Sequence, residues 1–230
     1  MAQSRSARLG CRSSETSTSC TASASKARES LSKFCVPQFL RLALVFSIAS
    51  VSAFAGALER SVLQEINLAR TQPQAYALVI ANHAPALGLS PRAVAETTRY
   101  LQKQKPVGAL IESAGLTQAA MSHAFDTGPR GMKGHRGSDG SRVTHRADRF
   151  GRWDQLIGEN LIYGKGSARD WVVSLIVDEG VGDRYHRVNI FKREFRLIGI
   201  ATGPHATAGR MMVADFAAKY VEAGASVATR

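Results

Sequence analysis

The chain has 230 residues, with 30 Lys and Arg against 18 Asp and Glu, a formal net charge of +12 at pH 7. Hydrophobic residues make up 44% of it, which supports a packed core and excludes a wholly disordered chain. All three cysteines, Cys11, Cys20 and Cys35, lie near the N-terminus, which excludes a disulfide framework for anything downstream of them.

Residues 1–33 are rich in Ser, Thr, Ala, Arg and Lys, with too few large apolar side chains to offset the entropy of ordering them. An apolar run follows from Leu42 to Ala55, with Arg41 before it and small residues at Ala53 and Ala55. A cationic flank, a short apolar stretch and small residues at its end are the parts of a secretory signal. The run is shorter than the ~20 apolar residues a transmembrane helix needs. Residues 1–55 are therefore expected to be a leader and signal peptide, cleaved after Ala55 or, second, Ala53. Residues 56–230 are expected to form one domain, secreted or periplasmic, with no stable membrane span after cleavage.

That domain keeps 23 basic and 16 acidic residues, which favours attraction to anionic lipids or other anionic cell-envelope ligands. Its basic residues are scattered and not interleaved with aromatics, so nucleic acid is not an expected partner.

Leu58, Val62, Ile66 and Ala69 recur at helical spacing, and Pro73 interrupts that helix before a second piece through Ala75, Tyr76, Val79 and Ile80. Residues 83–91 read as a loop, and Ser90-Pro91 as the start of a helix running to about Gln104. Leu116, Ala119, Ala120, His123 and Ala124 predict another helix ending near Gly128. Residues 128–152, with six glycines and many charges, read as a long irregular loop of the kind that is usually functional or disordered. Leu156 to Gly164 reads as a strand, and Ser167 as the N-cap of a helix through Trp171, Val172, Leu175 and Ile176. Two apolar runs, Phe195–Thr202 and Arg210–Phe216, read as a hairpin buried on both faces. Helices first and a hairpin last indicate an α+β fold, a layered sandwich with an antiparallel sheet.

Polar groups concentrate in three places: Gly134 to Gly140, Gly158-Glu159-Asn160, and Asp183 to Ile190. His135, His186 and Glu159 brought together would make an open divalent-metal site completed by water. Imidazole and carboxylate suit zinc best. Spacing does not impose this, because no HExxH helix is present. Ser138, in Gly137-Ser138-Asp139-Gly140, lacks the Gly-x-Ser-x-Gly elbow and reads as turn chemistry. Among the other histidines, His123 is expected to support the cleft floor, His145 to be solvated, and His83 and His205 to lie in loops.

The segments Gly134-His135-Arg136-Gly137-Ser138-Asp139-Gly140, Gly158-Glu159-Asn160-Leu161 and Tyr185-His186-Arg187-Val188-Asn189-Ile190, followed by Phe195 and Gly199, resemble the CAP superfamily. This group takes in cysteine-rich secretory proteins, antigen 5 and plant pathogenesis-related proteins, and the chain looks most like its bacterial, SCP-like extracellular branch. Asn67 and Arg70 of the first helix fit as well, so the likeness covers residues 58–220. The resemblance implies a three-layer α-β-α sandwich with a central, mainly antiparallel sheet and a cleft lined by two His and two acids. His135 and His186 match the histidines and Glu159 one acid; Asp178 or Glu179 supplies the other. It further implies divalent-cation or lipid binding, in a family for which no general enzymatic activity is established. The expected function is a binding module for a divalent cation, a lipid or an envelope ligand. The alternative is a metal-assisted, peptidase-like hydrolase, with Glu159, Asp178 and Glu179 as candidate catalytic groups.

Overall fold

The computed structural model describes residues 56–224, so the leader, the signal sequence and the three cysteines lie outside the described residues. A first helix, α1, covers residues 56–71. Pro73 does not enter it but opens α2, Pro73–His83, where its missing N–H costs nothing. A 3-10 turn, Ala84–Leu87, leads to α3, Pro91–Lys103, whose N-cap Ser90 accepts from the Ala93 N–H at 3.2 Å. Then follow β1, Ile111–Glu112; α4, Ala114–Thr127; α5, Val143–Asp148; and β2, Gly151–Tyr163. The chain continues through α6, Ala168–Val177; α7, Tyr185–Phe191; β3, Leu197–His205; and β4, Gly209–Glu222. Ser167 caps α6 as expected, in a reciprocal pair with Asp170.

The sheet has the order β1-β3-β4-β2, with β1 parallel to β3 and the other pairs antiparallel. Side chains of a strand alternate between faces, and β4 illustrates it. Met212, Ala214 and Phe216 join the core built by α1, α2, α3, α6 and α7. Met211, Val213 and Ala217 meet Leu116, Ala119, Ala120 and Ala124 of α4 and Ala147 of α5. This is the expected α-β-α sandwich. Among the described residues, no helix is long and apolar enough to cross a membrane.

Two close approaches fix the layers. A Cβ at Gly199 would lie 2.0 Å from the Leu116 backbone carbon, so only glycine lets α4 press onto β3. Arg70 is fully buried and donates to the carbonyls of Gly108, Ile190, Lys192 and Phe195, while Asn67 exchanges two hydrogen bonds with the Leu110 backbone. Together they tie α1 to the segments leading into β1 and β3.

The structure corrects or completes several local readings. The segment expected to be an irregular loop over residues 128–152 contains α5, and β2 begins at Gly151, ahead of a bulge between Asp154 and Ile157 where Gln155 takes φ 71°. The polar run at 185–191 is a helix, because Arg187 is buried against Glu96 and the Ile176 and Val177 carbonyls. His205 is not a loop residue. It is buried at the end of β3, donates from Nε2 to the Met132 carbonyl at 3.1 Å and accepts the Ala208 N–H at 3.1 Å.

Candidate functional site

Strand β2 lies at the edge of the sheet, and its Gly158-Glu159-Asn160 segment organises the surrounding polar groups. Successive side chains of a strand point to opposite faces, so Glu159 and Asn160 serve different layers. Glu159, buried, reaches His135: Nδ1 and Oε1 are 2.8 Å apart, with the imidazole 59% exposed and the carboxylate 2%. Its other oxygen accepts from Arg146 of α5, a guanidinium as buried as the carboxylate. Asn160 donates to the His186 carbonyl at 3.0 Å and accepts from Asn189 at 2.8 Å, which docks α7 onto the strand. Gly158 admits this docking, since a Cβ there would meet Phe195 at 3.0 Å and Asn189 at 3.2 Å.

His186 has its own carboxylate. Asp178, buried in the left-handed C-cap position of α6, accepts from the His186 N–H at 2.9 Å and lies 2.7 Å from its Nδ1. Of the two acids left open by the sequence, Asp178 is the one that contacts His186. Glu179 is exposed and accepts from the Ser90 backbone N–H at 3.0 Å and from its hydroxyl at the start of α3. Both histidines thus have Nδ1 held by a carboxylate, which fixes the ring.

Behind Glu159 lies a buried ionisable cluster that the sequence reading missed in part. Asp215, on the neighbouring strand directly opposite Glu159, is fully buried, and neither of its oxygens has a hydrogen-bond partner. Burial first, and then the adjacent Glu159 charge, push the Asp215 carboxyl well above its ordinary value, which favours its protonated form. Glu159 goes the other way. Burial would raise it, but the hydrogen bond from His135 and the charge of Arg146 outweigh that and keep it ionised. His123, buried on α4, is pushed below its ordinary value by burial and by the Arg146 charge, and its Nε2–H donates to the Gly134 carbonyl at 3.0 Å. That contact ties α4 to the loop carrying His135. The one signal for Asp215 was an acid inside an otherwise apolar strand; for Arg146 there was none beyond a basic residue in a glycine-rich loop.

The residues fit a resident metal ion poorly. Glu159 has both oxygens engaged, one by a buried guanidinium whose charge opposes a second cation at the same carboxylate. Among the described residues, no group of three or more His, Cys, Asp or Glu is placed to hold an ion. A cavity of about 280 Å³ opens instead at His135, Arg136, Arg142, Val143 and Glu159, and His186 is not part of its lining. Ser138 turns away from both histidines: its N–H and hydroxyl bond to Asp126 at 2.7 and 2.6 Å. His145 is exposed, and His83 ends α2 with Nε2 2.6 Å from Asp170.

A three-layer α-β-α sandwich with carboxylate-held histidines on either side of an edge strand defines the class of this molecule. The chain belongs to the CAP, or cysteine-rich secretory protein, family, which matches residues 63–216, about two thirds of its length. Among solved structures it is similar to an outer surface protein from Borrelia burgdorferi, at 16% identity and a TM-score of 0.42, covering 48% of this chain and 78% of that one. It is also similar to an extracellular protein containing an SCP domain from Bacillus anthracis, at 20% identity and a TM-score of 0.39, covering 49% and 35% of the two chains. A cysteine-rich secretory protein from Staphylococcus aureus gives 13% identity and a TM-score of 0.36, covering 56% and 39%. No curated protein matches the chain.

Proposed function

We propose that the chain is an exported binding module whose cleft, entered at His135 and flanked by Arg136 and Arg142, takes an anionic group of an envelope lipid or polymer. The observation that carries this reading is the Arg146–Glu159 ion pair. With the only acid of the cavity already neutralised from inside, its outward groups are two guanidiniums and an imidazole. Neither Arg136 nor Arg142 forms an ion pair among the described residues, so both remain available to a ligand. Export is supported by the apolar run at 42–55 with its cationic flank and small terminal residues. Catalysis has less support: among the described residues neither His135 nor His186 is hydrogen-bonded to a hydroxyl or thiol.

Two measurements test it. Cosedimentation with vesicles of phosphatidylglycerol, against phosphatidylcholine alone, is expected to be selective and to weaken about tenfold in an Arg136→Gln, Arg142→Gln double variant. Equal binding by the variant removes the cleft from the account. The metal reading, with His135, Glu159 and His186 as ligands, is decided by metal content: a zinc equivalent lost on His135→Ala and His186→Ala would establish it. Turnover of peptides that stops on chelation would replace binding by a metal-assisted hydrolase.

A further inference from the structure

A second basic cavity lies away from the cleft. It has a volume of about 530 Å³ and sits between residues 104–108, which follow α3, and residues 191–196, which lead from α7 into β3. Lys105, Arg193 and Arg196 line it, with Val107 and Phe191 as apolar wall. No acid lines the cavity, and none of the three cations forms an ion pair among the described residues. The neighbouring Glu194 is exposed and likewise unpaired.

The wall itself is charged. Arg70, fully buried, donates to the Gly108 carbonyl on one side of the cavity and to the Lys192 and Phe195 carbonyls on the other. Its partners are all carbonyls, so no carboxylate compensates it. The Arg196 guanidinium lies 3.9 Å from where a Cβ of Gly108 would stand and donates to the Arg193 carbonyl. Both guanidiniums thus lie near Gly108. Burial first, and then the charge of Arg196, pull Arg70 down to about 10. Three cations line the cavity and a fourth, Arg70, is buried behind Gly108; they repel each other, and an anion in the cavity would relieve that repulsion.

We propose that this cavity is a second binding site, for a phosphate group carried on a small organic ligand. Guanidinium forks match the oxygens of a phosphate in paired hydrogen bonds, and Lys105 adds a point charge. The cavity is larger than inorganic phosphate fills, and Phe191 and Val107 give an organic portion apolar surface to lie against. The site shares no residue with the cleft and does not depend on the function proposed for it.

Isothermal titration tests it, carried out on the protein and on its Arg136→Gln, Arg142→Gln variant so that the cleft does not contribute. The probes are inorganic phosphate, glycerol phosphate and phosphatidylglycerol vesicles, with chloride at matched ionic strength as control. Glycerol phosphate is expected to bind in both backgrounds, more tightly than inorganic phosphate. Arg193→Gln with Arg196→Gln should weaken it about tenfold, and Lys105→Gln by less. Binding only to vesicles, still lost on the arginine substitutions, assigns the phosphate to a lipid headgroup. Binding undiminished by those substitutions, an equal response to chloride, or no response to any probe overturns the proposal.

Discussion

The two faces of the sheet solve burial differently. Toward α1, α2, α3, α6 and α7 the strands present Ile198, Ile200, Met212, Ala214 and Phe216 to an apolar core, and of the two buried arginines there, Arg70 bonds only to carbonyls and Arg187 to two carbonyls and the part-exposed Glu96. Toward α4 and α5 the apolar contacts split into two smaller clusters, and between them lie His123, Arg146, Glu159 and Asp215. The first face rests mainly on apolar packing; the second carries a buried ion pair, Arg146–Glu159, beneath a cavity. Buried charge costs several kcal/mol per ion unless it is paired, so a protein that keeps it there is spending stability on a site.

The sharpest way to break the comparison is at Arg70. Arg70→Met keeps the bulk but takes the donor from four carbonyls, two of them in buried bonds, and is expected to cost about 3 kcal/mol or more. Denaturant unfolding checks it; a loss below about 1 kcal/mol would mean the carbonyls find other partners.

The next largest effect belongs to the other face. Arg146→Met should destabilise by about 3 kcal/mol, because Glu159 would be left buried beside Asp215 without its cation. Adding Glu159→Gln to that variant should recover much of the loss, since the uncompensated charge is then gone. Additive losses in the double variant would show that Arg146 acts through packing instead.

The smallest effect is pH-dependent. Asp215 keeps its proton in the folded state at pH values where the unfolded chain has lost it, so its contribution is full below its ordinary 3.8 and declines as pH rises toward its raised folded value. Asp215→Asn should therefore raise the unfolding temperature at neutral pH and leave it nearly unchanged near pH 3. His123 has the opposite sign. Held neutral when folded, it contributes fully above its ordinary 6.5 and loses that contribution as pH falls. The Asp215→Asn protein should thus lose stability only on the acid side, as seen in melting curves across pH. An unchanged neutral melting temperature would mean that Asp215 is ionised and paired.

The apolar face was readable from sequence because burial there follows a period. Leu58, Val62, Ile66 and Ala69 mark one helix face, and the two apolar runs at the end mark strands covered on both sides. The helices α5 and α7 were not readable, since each is short and buries an arginine, Arg146 or Arg187, whose role depends on a distant carboxylate. The site was legible as motifs and not as pairings. His135, Glu159 and His186 stand out as polar groups in loop-like or glycine-rich segments, yet which carboxylate faces which imidazole is set by the alternation of β2 and the cap of α6. Asp215 enters only because its strand lies opposite Glu159.

The central claim is that Arg146 spends the charge of Glu159 internally, so that the cleft receives an anion rather than a metal ion. Cosedimentation of the protein with phosphatidylglycerol vesicles in the presence of a strong chelator tests this directly. The account predicts binding that survives the chelator and is lost in the Arg136→Gln, Arg142→Gln variant. Binding abolished by the chelator and restored by zinc would contradict it.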